Sequence, residues 1–327
     1  MAGLTFSGRH ANVCRIATKS IDLLAGYERM LLLRRFEEAM QRLFLRNEIH
    51  GTVHLYIGQE AVSVGVCSAL RADDWVAATY RGHGAALARG TPPEALAAEL
   101  MGRSTGACGG RAGSMNVVDL EHGLIGCFGI VGGSIAAATG AGMSAAREGR
   151  VAVAFFGDGA ANQGYFHECL NFAQVMRLPV VYVCENNGYG EFTPYEQVTG
   201  GGDIAARATT LGIPAQKVDG NDFEAVGAAA REAVARARAG EGPSFIEALT
   251  YRQVGHSKSD PGAYRPEGEL ESWLERDPLA LLRARLDEDR AAEVERAVEE
   301  RIERAVEAAL AAPYPDVAVS AAREYAP

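Results

Sequence analysis

None of the six cysteines forms a Cys-x-x-Cys pair, and none stands with histidine at zinc spacing. This argues against a disulfide scaffold and a structural zinc site, and reads as reduced thiols in a reducing compartment. Basic runs are also missing. The chain carries 42 Asp and Glu against 32 Lys and Arg, a formal charge of -10, which argues against nucleic acid as a partner. Long apolar runs are missing too. The stretch "GIVGGSIAAATGAGMSAA" at 129–146 comes nearest to a membrane span, but it is short and poor in Leu, Ile and Phe. Its small side chains suit a tightly packed interior helix or a subunit contact, so no membrane partner is expected. The first twenty residues lack the continuous apolar core of a signal peptide. They hold no acid, carry Arg9, Arg15 and Lys19, and read as a short basic tail, with a bacterial cytoplasmic setting expected over an organelle. Repeats and linkers are absent, so residues 22–327 are expected to form one domain behind an extension at 1–21.

What is present is the make-up of a globular chain with a sizeable core: 327 residues, 48% hydrophobic and 23% charged. Residues 22–47 carry amphipathic helical spacing, and prolines at the start of 92–101 suit a first helical turn. Continuous apolar runs at 151–156 and 179–187 read as strands buried on both faces, with further strands at 213–220 and 244–252. Between the first two, Phe166, Leu170, Ala173 and Met176 fall on one helical face. Residues 221–240 open on an Asn/Asp cap, place Glu224 three residues after Asn221, and stop at Gly240. Val294, Val298, Ile302, Val306 and Leu310 recur every four residues on a charged helix. Alternating strands and helices imply an α/β fold, a parallel sheet with helices on both faces.

The run "AFFGDGAANQG" at 154–164 sets a carboxylate, Asp158, between two glycines where a strand stops. A strand-to-helix turn capped by Asp158 would look the same. However, ligands of such sheets bind at the carboxyl ends of strands, glycine permits close backbone approach, and a following helix offers amides to an anion. The second strand ends in "CENNGYG", with Asn187 one strand-helix-strand unit beyond Asp158. A carboxylate, an amide oxygen and a turn carbonyl are hard donors that suit Mg²⁺ or Ca²⁺, not zinc, and Mg²⁺ fills its octahedron with phosphates and water. These residues predict a metal-diphosphate site.

"GDGAANQGYFHECLNFAQVMRLPVVYVCENNGYG" resembles the thiamine-diphosphate signature. "HLYIGQEAVSVG", "ATYRGHGAALARG", "GRAGSMNVVD", "FGIVGGS" and "TYRQVGHSKSDPGAYR" follow the order seen in the alpha subunit of the first component of 2-oxo acid dehydrogenase complexes, of pyruvate, branched-chain and acetoin types. The resemblance covers roughly 22–310 and implies a thiamine-diphosphate-binding fold. It implies that Asp158 and Asn187, with the Tyr189 carbonyl, bind Mg²⁺. Gly159 and Ala160 would offer backbone to the diphosphate, with Tyr80, Arg81 and Arg252 holding its oxygens. Gly129 and Val131 would line the aminopyrimidine or bend the cofactor, and His54 and His256 would face the substrate, His256 also meeting the cofactor. His10, His83, His122 and His167 read as structural. The resemblance further implies decarboxylation of a 2-oxo acid, pyruvate first, with the acyl group passed to a lipoyl-bearing acyltransferase. Two alpha chains would work with two beta chains. Acetoin and branched-chain substrates stand as alternatives, and a transketolase-type half-enzyme or a non-catalytic subunit fits less well. The sequence departs from the family's pattern at Asn116 and Val254, where histidine is usual or frequent, and at the turn "GEFTP". The Gly/Pro-rich loop 252–265 is expected to be mobile without cofactor.

Overall fold

The computed structural model describes residues 22–257 and 259–322. The basic stretch with Arg9, Arg15 and Lys19 lies outside them. Helix α1 (Leu23–Leu45) starts at Asp22, whose carboxylate accepts from the N–H groups of Leu24 and Ala25 at 3.1 Å. That closes donors the first turn leaves open. There follow α2 (Glu60–Cys67), β1 (Trp75–Thr79), α3 (His83–Arg89), α4 (Pro93–Leu100), β2 (Leu124–Phe128), α5 (Gly133–Glu148), β3 (Ala152–Gly157), α6 (Gly164–Met176) and β4 (Val180–Asn186). A hairpin of β5 (Tyr189–Gly190) and β6 (Thr193–Pro194) leads through α7 (Tyr195–Val198) and α8 (Ile204–Thr209) to β7 (Ala215–Asp219), α9 (Phe223–Arg238) and β8 (Ser244–Leu249). The chain closes with α10 (Glu269–Leu274), α11 (Pro278–Arg283), α12 (Glu288–Ala311) and α13 (Val317–Ala322).

Six strands form one parallel sheet in the order β2-β1-β3-β4-β8-β7. Both faces are covered. Val153, Phe155, Val181 and Val183 point to the core shared with α1, α2, α9 and α12, while Ala154, Phe156, Tyr182 and Cys184 point to that of α5, α6 and α8. Two-sided burial explains why β3 and β4 read as unbroken apolar runs. Strands β1 and β2 escape the same reading: β1 is five residues long with two alanines, and β2 is broken by Gly126. From β1 the chain crosses to β2 on one side, and β3 and β4 continue on the other. The direction of winding reverses between β1 and β3, which opens a crevice at their carboxyl ends.

Of the expected Asn/Asp cap of helix α9, Asp222 is the member that caps, accepting from the N–H groups of Glu224 and Ala225, while the Asn221 side chain bonds the Arg276 carbonyl and the Thr250 hydroxyl. Two local expectations are corrected. Met176 is half exposed, because α6 ends there and Arg177 turns left-handed with φ 50°. On α12 a strict four-residue repeat drifts about 40° per step. Val298 and Ile302 are therefore buried, Leu310 swings outward, and Ala291, Ala305 and Ala309 complete the inner face. The Gly/Ala stretch becomes α5, and a carbon added at Gly142 would lie 2.5 Å from Val180 Cγ2, so the absence of side chain permits the close packing on the sheet. Among the described residues no helix is long and apolar enough to cross a membrane.

Candidate active site

The crevice between β1 and β3 is a cavity of about 380 Å³. Each element ends in a residue that the sequence singles out. Tyr80 and Arg81 follow β1, Gly129 and Val131 follow β2, and Asp158, Gly159 and Ala160 follow β3. Asn187 and Tyr189 follow β4, and Arg252 and His256 follow β8, while His54 reaches in from the segment before α2. All twelve expected residues line this one cavity. Gly157 pairs with Glu185 across β3 and β4, so Asp158 and Asn187 emerge side by side on the sheet edge.

Asp158 is 1% exposed, and its Oδ1 accepts from the Gly159 N–H at 2.9 Å. Its Oδ2 is buried without a partner, and burial raises its pKa to about 6. Arg252 donates from Nη2 to the Glu191 carbonyl at 2.8 Å, leaving Nε and Nη1 buried without protein acceptors. Arg81 is more committed: Nη1 and Nη2 donate to the carbonyls of Leu55 and His256 at 2.5 and 2.9 Å. Burial, then the neighbouring Arg252, lowers its pKa to about 10. The Asn187 amide donates from Nδ2 to Gln59 Oε1 at 2.9 Å and accepts at Oδ1 from the Tyr189 N–H at 3.2 Å.

His54 and His256 pack ring against ring at 5.0 Å between centroids, with Tyr80 4.6 Å from His54. Burial, then Arg81, lowers the imidazoles to about 3 and about 4, so both are neutral near pH 7. His54 Nδ1 is buried without a partner. The histidines read as structural at 83 and 122 are hydrogen-bonded: His83 lies fully buried between Glu37 and Ser114, and His122 pairs with Asp119. Of the two departures, Asn116 is exposed beside Gly129, its Oδ1 3.5 Å from where a carbon on Gly129 would lie. Val254 packs against the core instead.

A buried charge without a partner is expensive, so partnerless carboxylate and guanidinium atoms in one cavity point to a ligand carrying both a cation and an anion. Mg²⁺-diphosphate fits that requirement, and the oxygen donors suit a hard cation. Gly157 leaves open space where a side chain would stand, and a carbon on Gly159 would press within 3.3 Å of Gly190. Sequence reasoning missed Gln59, Met115, Phe128, Glu185 and Glu191, which also line the cavity. Glu185 alone carried a signal, a charge inside an otherwise apolar strand. It accepts from the Tyr56 hydroxyl, and burial raises it to about 7.

Residues 28–318 match the family described as "Dehydrogenase E1 component". The chain belongs to the dehydrogenase E1 component family. It is 45% identical over 296 residues to the alpha subunit of an acetoin:2,6-dichlorophenolindophenol oxidoreductase of Bacillus subtilis, covering 88% of this chain and 89% of that one. It is 42% identical over 305 residues to the pyruvate dehydrogenase E1 alpha subunit of Rhizobium meliloti, covering 90% and 88%. The corresponding subunit of Porphyra purpurea is 39% identical over 310 residues, covering 90% of each. E1 components are thiamine-diphosphate-dependent oxidoreductases, and their alpha chains work with a beta subunit. This E1 chain therefore brings to the sheet edge the residues its family resemblance implied.

Proposed function

We propose that the cavity holds thiamine diphosphate through Mg²⁺ and that the chain, with its beta partner, decarboxylates pyruvate and passes the acyl unit to a lipoyl-bearing acyltransferase. The observation that carries this reading is the pairing in one cavity of Asp158 Oδ2 with Arg252 Nε and Nη1, opposite charges each buried without a protein partner. Bound thiamine diphosphate supplies the electron sink for breaking the bond between carbonyl carbon and carboxylate. The chain's own residues then hold and orient. Asp158, the Asn187 amide oxygen and the Tyr189 carbonyl hold the cation. Arg252 has donors left at Nε and Nη1, on separate edges of the guanidinium, for phosphate oxygens. Tyr80 and Arg81 add to this grip, Arg81 with the donors its two backbone carbonyls leave over. Gly159 and Ala160 bring backbone to the phosphates, and Gly129 and Val131 line the far end. His54 and His256, being neutral, each can donate from one ring nitrogen and accept at the other, which suits them to hold a proton at the substrate's carbonyl oxygen.

A second reading, acetoin as substrate, is favoured by the Bacillus relative at 45% identity. The test is co-expression with the beta chain and a panel of pyruvate, branched-chain 2-oxo acids and acetoin with an artificial electron acceptor. Highest kcat/KM on pyruvate supports the proposal. Highest kcat/KM on acetoin selects the second reading. No turnover on any of them, with thiamine diphosphate bound, overturns both.

A further inference from the structure

The Asn187 side chain poses a chemical problem for a metal site. An amide has an oxygen at one end and an NH₂ at the other, and a cation accepts only the oxygen. Something must decide which end faces it. Two contacts do so. The Tyr189 N–H donates to Oδ1 at 3.2 Å, and Gln59 Oε1 accepts from Nδ2 at 2.9 Å. The first uses one of the two lone pairs of Oδ1 and leaves the other for a cation. The second places the only strong acceptor of the pair opposite the NH₂.

The backbone that carries Gln59 is held in place. It is 1% exposed and forms the N-cap of α2, its own N–H donating to the Tyr56 carbonyl at 3.1 Å. Before it, Gly58 holds φ +99° with its backbone pressed on Tyr251: a carbon added there would lie 2.4 Å from the Tyr251 carbonyl oxygen. After it, the Glu60 carboxylate accepts from the Gly58 N–H at 3.1 Å and pairs with Arg34. The loop carrying Asn187 is tied from the other side. Glu247 accepts from Asn186 Nδ2 at 2.7 Å, and Asn186 Oδ1 accepts from the Gly188 N–H at 3.2 Å.

We infer that Gln59 is a positioning residue: it fixes the orientation of the Asn187 amide so that oxygen, not NH₂, faces the divalent cation. This rests on the metal-diphosphate reading above. Groups that orient a metal ligand in this way are typically worth about 10- to 100-fold in metal affinity.

The test titrates Mg²⁺ against thiamine diphosphate binding, by calorimetry, in the alpha chain assembled with its beta chain. Gln59→Leu removes the acceptor in nearly the same volume and is expected to raise the half-saturating Mg²⁺ concentration about 10-fold or more. Asn187→Asp has oxygen at both ends and needs no orienting partner. In that background Gln59→Leu is expected to change half-saturation by no more than about twofold, the limit of additive behaviour. The shared substitution also reports folding, since Gln59→Leu is present in both proteins. An equal loss in both backgrounds means a general packing defect and overturns the inference. So does a change within twofold in the wild-type background. Asp158→Ala is the separate arm: Mg²⁺ dependence that survives it overturns the metal-site reading itself.

Discussion

At the scale of the residue, Asp158 carries the strongest demand, because its Oδ2 is buried without a partner. Asp158→Ala is expected to weaken Mg²⁺-dependent cofactor binding about 100-fold or more while leaving the ligand-free chain folded, and calorimetry with a melting curve reads both. Unchanged affinity would remove Asp158 from the cation's ligands. Glu185 supplies a pH signature. Its carboxyl is raised by burial from 4.5 to about 7. Below pH 4.5 the folded and unfolded carboxyls are both protonated and the group contributes no pH dependence. Between 4.5 and about 7 the unfolded chain releases a proton that the folded chain keeps, so stability falls as pH rises, and the full loss is present above about 7. Against wild type, Glu185→Gln should therefore gain up to about 3–4 kcal/mol across that window, one pKa unit being worth about 1.4. His54 and His256 act in the opposite sense, losing stability as pH falls below 6.5, but they are common to both proteins and cancel in the difference curve. Denaturant melts from pH 4.5 to 8 measure it, and a flat difference would contradict the burial argument. Asp158 and Asn187 were legible from the sequence because hard oxygen donors at two strand ends are rare enough to notice. Gln59 was not: a glutamine before a helix has many uses, and only its contact with Asn187 reveals this one.

At the scale of the element, the loop 252–265 proves to be internally tied. Asp260 accepts from the N–H groups of His256 and Gly262 and from the Tyr264 hydroxyl, at 2.6, 2.8 and 3.0 Å. Arg265 donates to the carbonyls of Arg252 and Val254 at 2.8 and 2.6 Å. Composition alone read it as a mobile surface loop, since Gly, Pro and short polar residues carry no record of such bonds. Asp260→Ala is expected to speed protease cleavage here about tenfold, with little change in the global melting temperature, because the three bonds serve the loop and not the core. Thiamine diphosphate with Mg²⁺ should slow cleavage in wild type by engaging Arg252. Equal rates with and without ligand would separate the loop from the cofactor. Strands β3 and β4 were visible as apolar runs because both faces are covered. Strands β1 and β2 were not, although Tyr80, Arg81, Gly129 and Val131 hang from their ends, because alanine and glycine pack against α5 without leaving a pattern in hydrophobicity.

At the scale of the molecule, one cavity gathers the residues proposed for diphosphate and cation, and the alpha chains of E1 components work with a beta subunit. The purified alpha chain should therefore show no 2-oxo acid decarboxylation by itself, and turnover should appear on adding the beta chain, as followed with an artificial electron acceptor. Robust turnover by the single chain would refute this division of labour. The net charge of -10 and the absence of basic runs agree with small anionic ligands being met only where buried arginines are placed for them.

The sequence by itself determined the α/β class, the family, and the residue types of the site, because those rest on local periodicity and on short motifs whose chemistry is read along the chain. Only the tertiary structure decided the strand order, and with it the crevice, since pairing in a parallel sheet joins segments far apart in sequence. It alone showed that Arg81 is partly spent on two backbone carbonyls while Arg252 keeps Nε and Nη1 without protein acceptors. It alone made His54 and His256 neutral, because burial and neighbouring charge set a pKa and neither is written in the order of residues. The turn of the Asn187 amide toward oxygen belongs to the same class: Gln59 stands 128 positions away along the chain and 2.9 Å away in space.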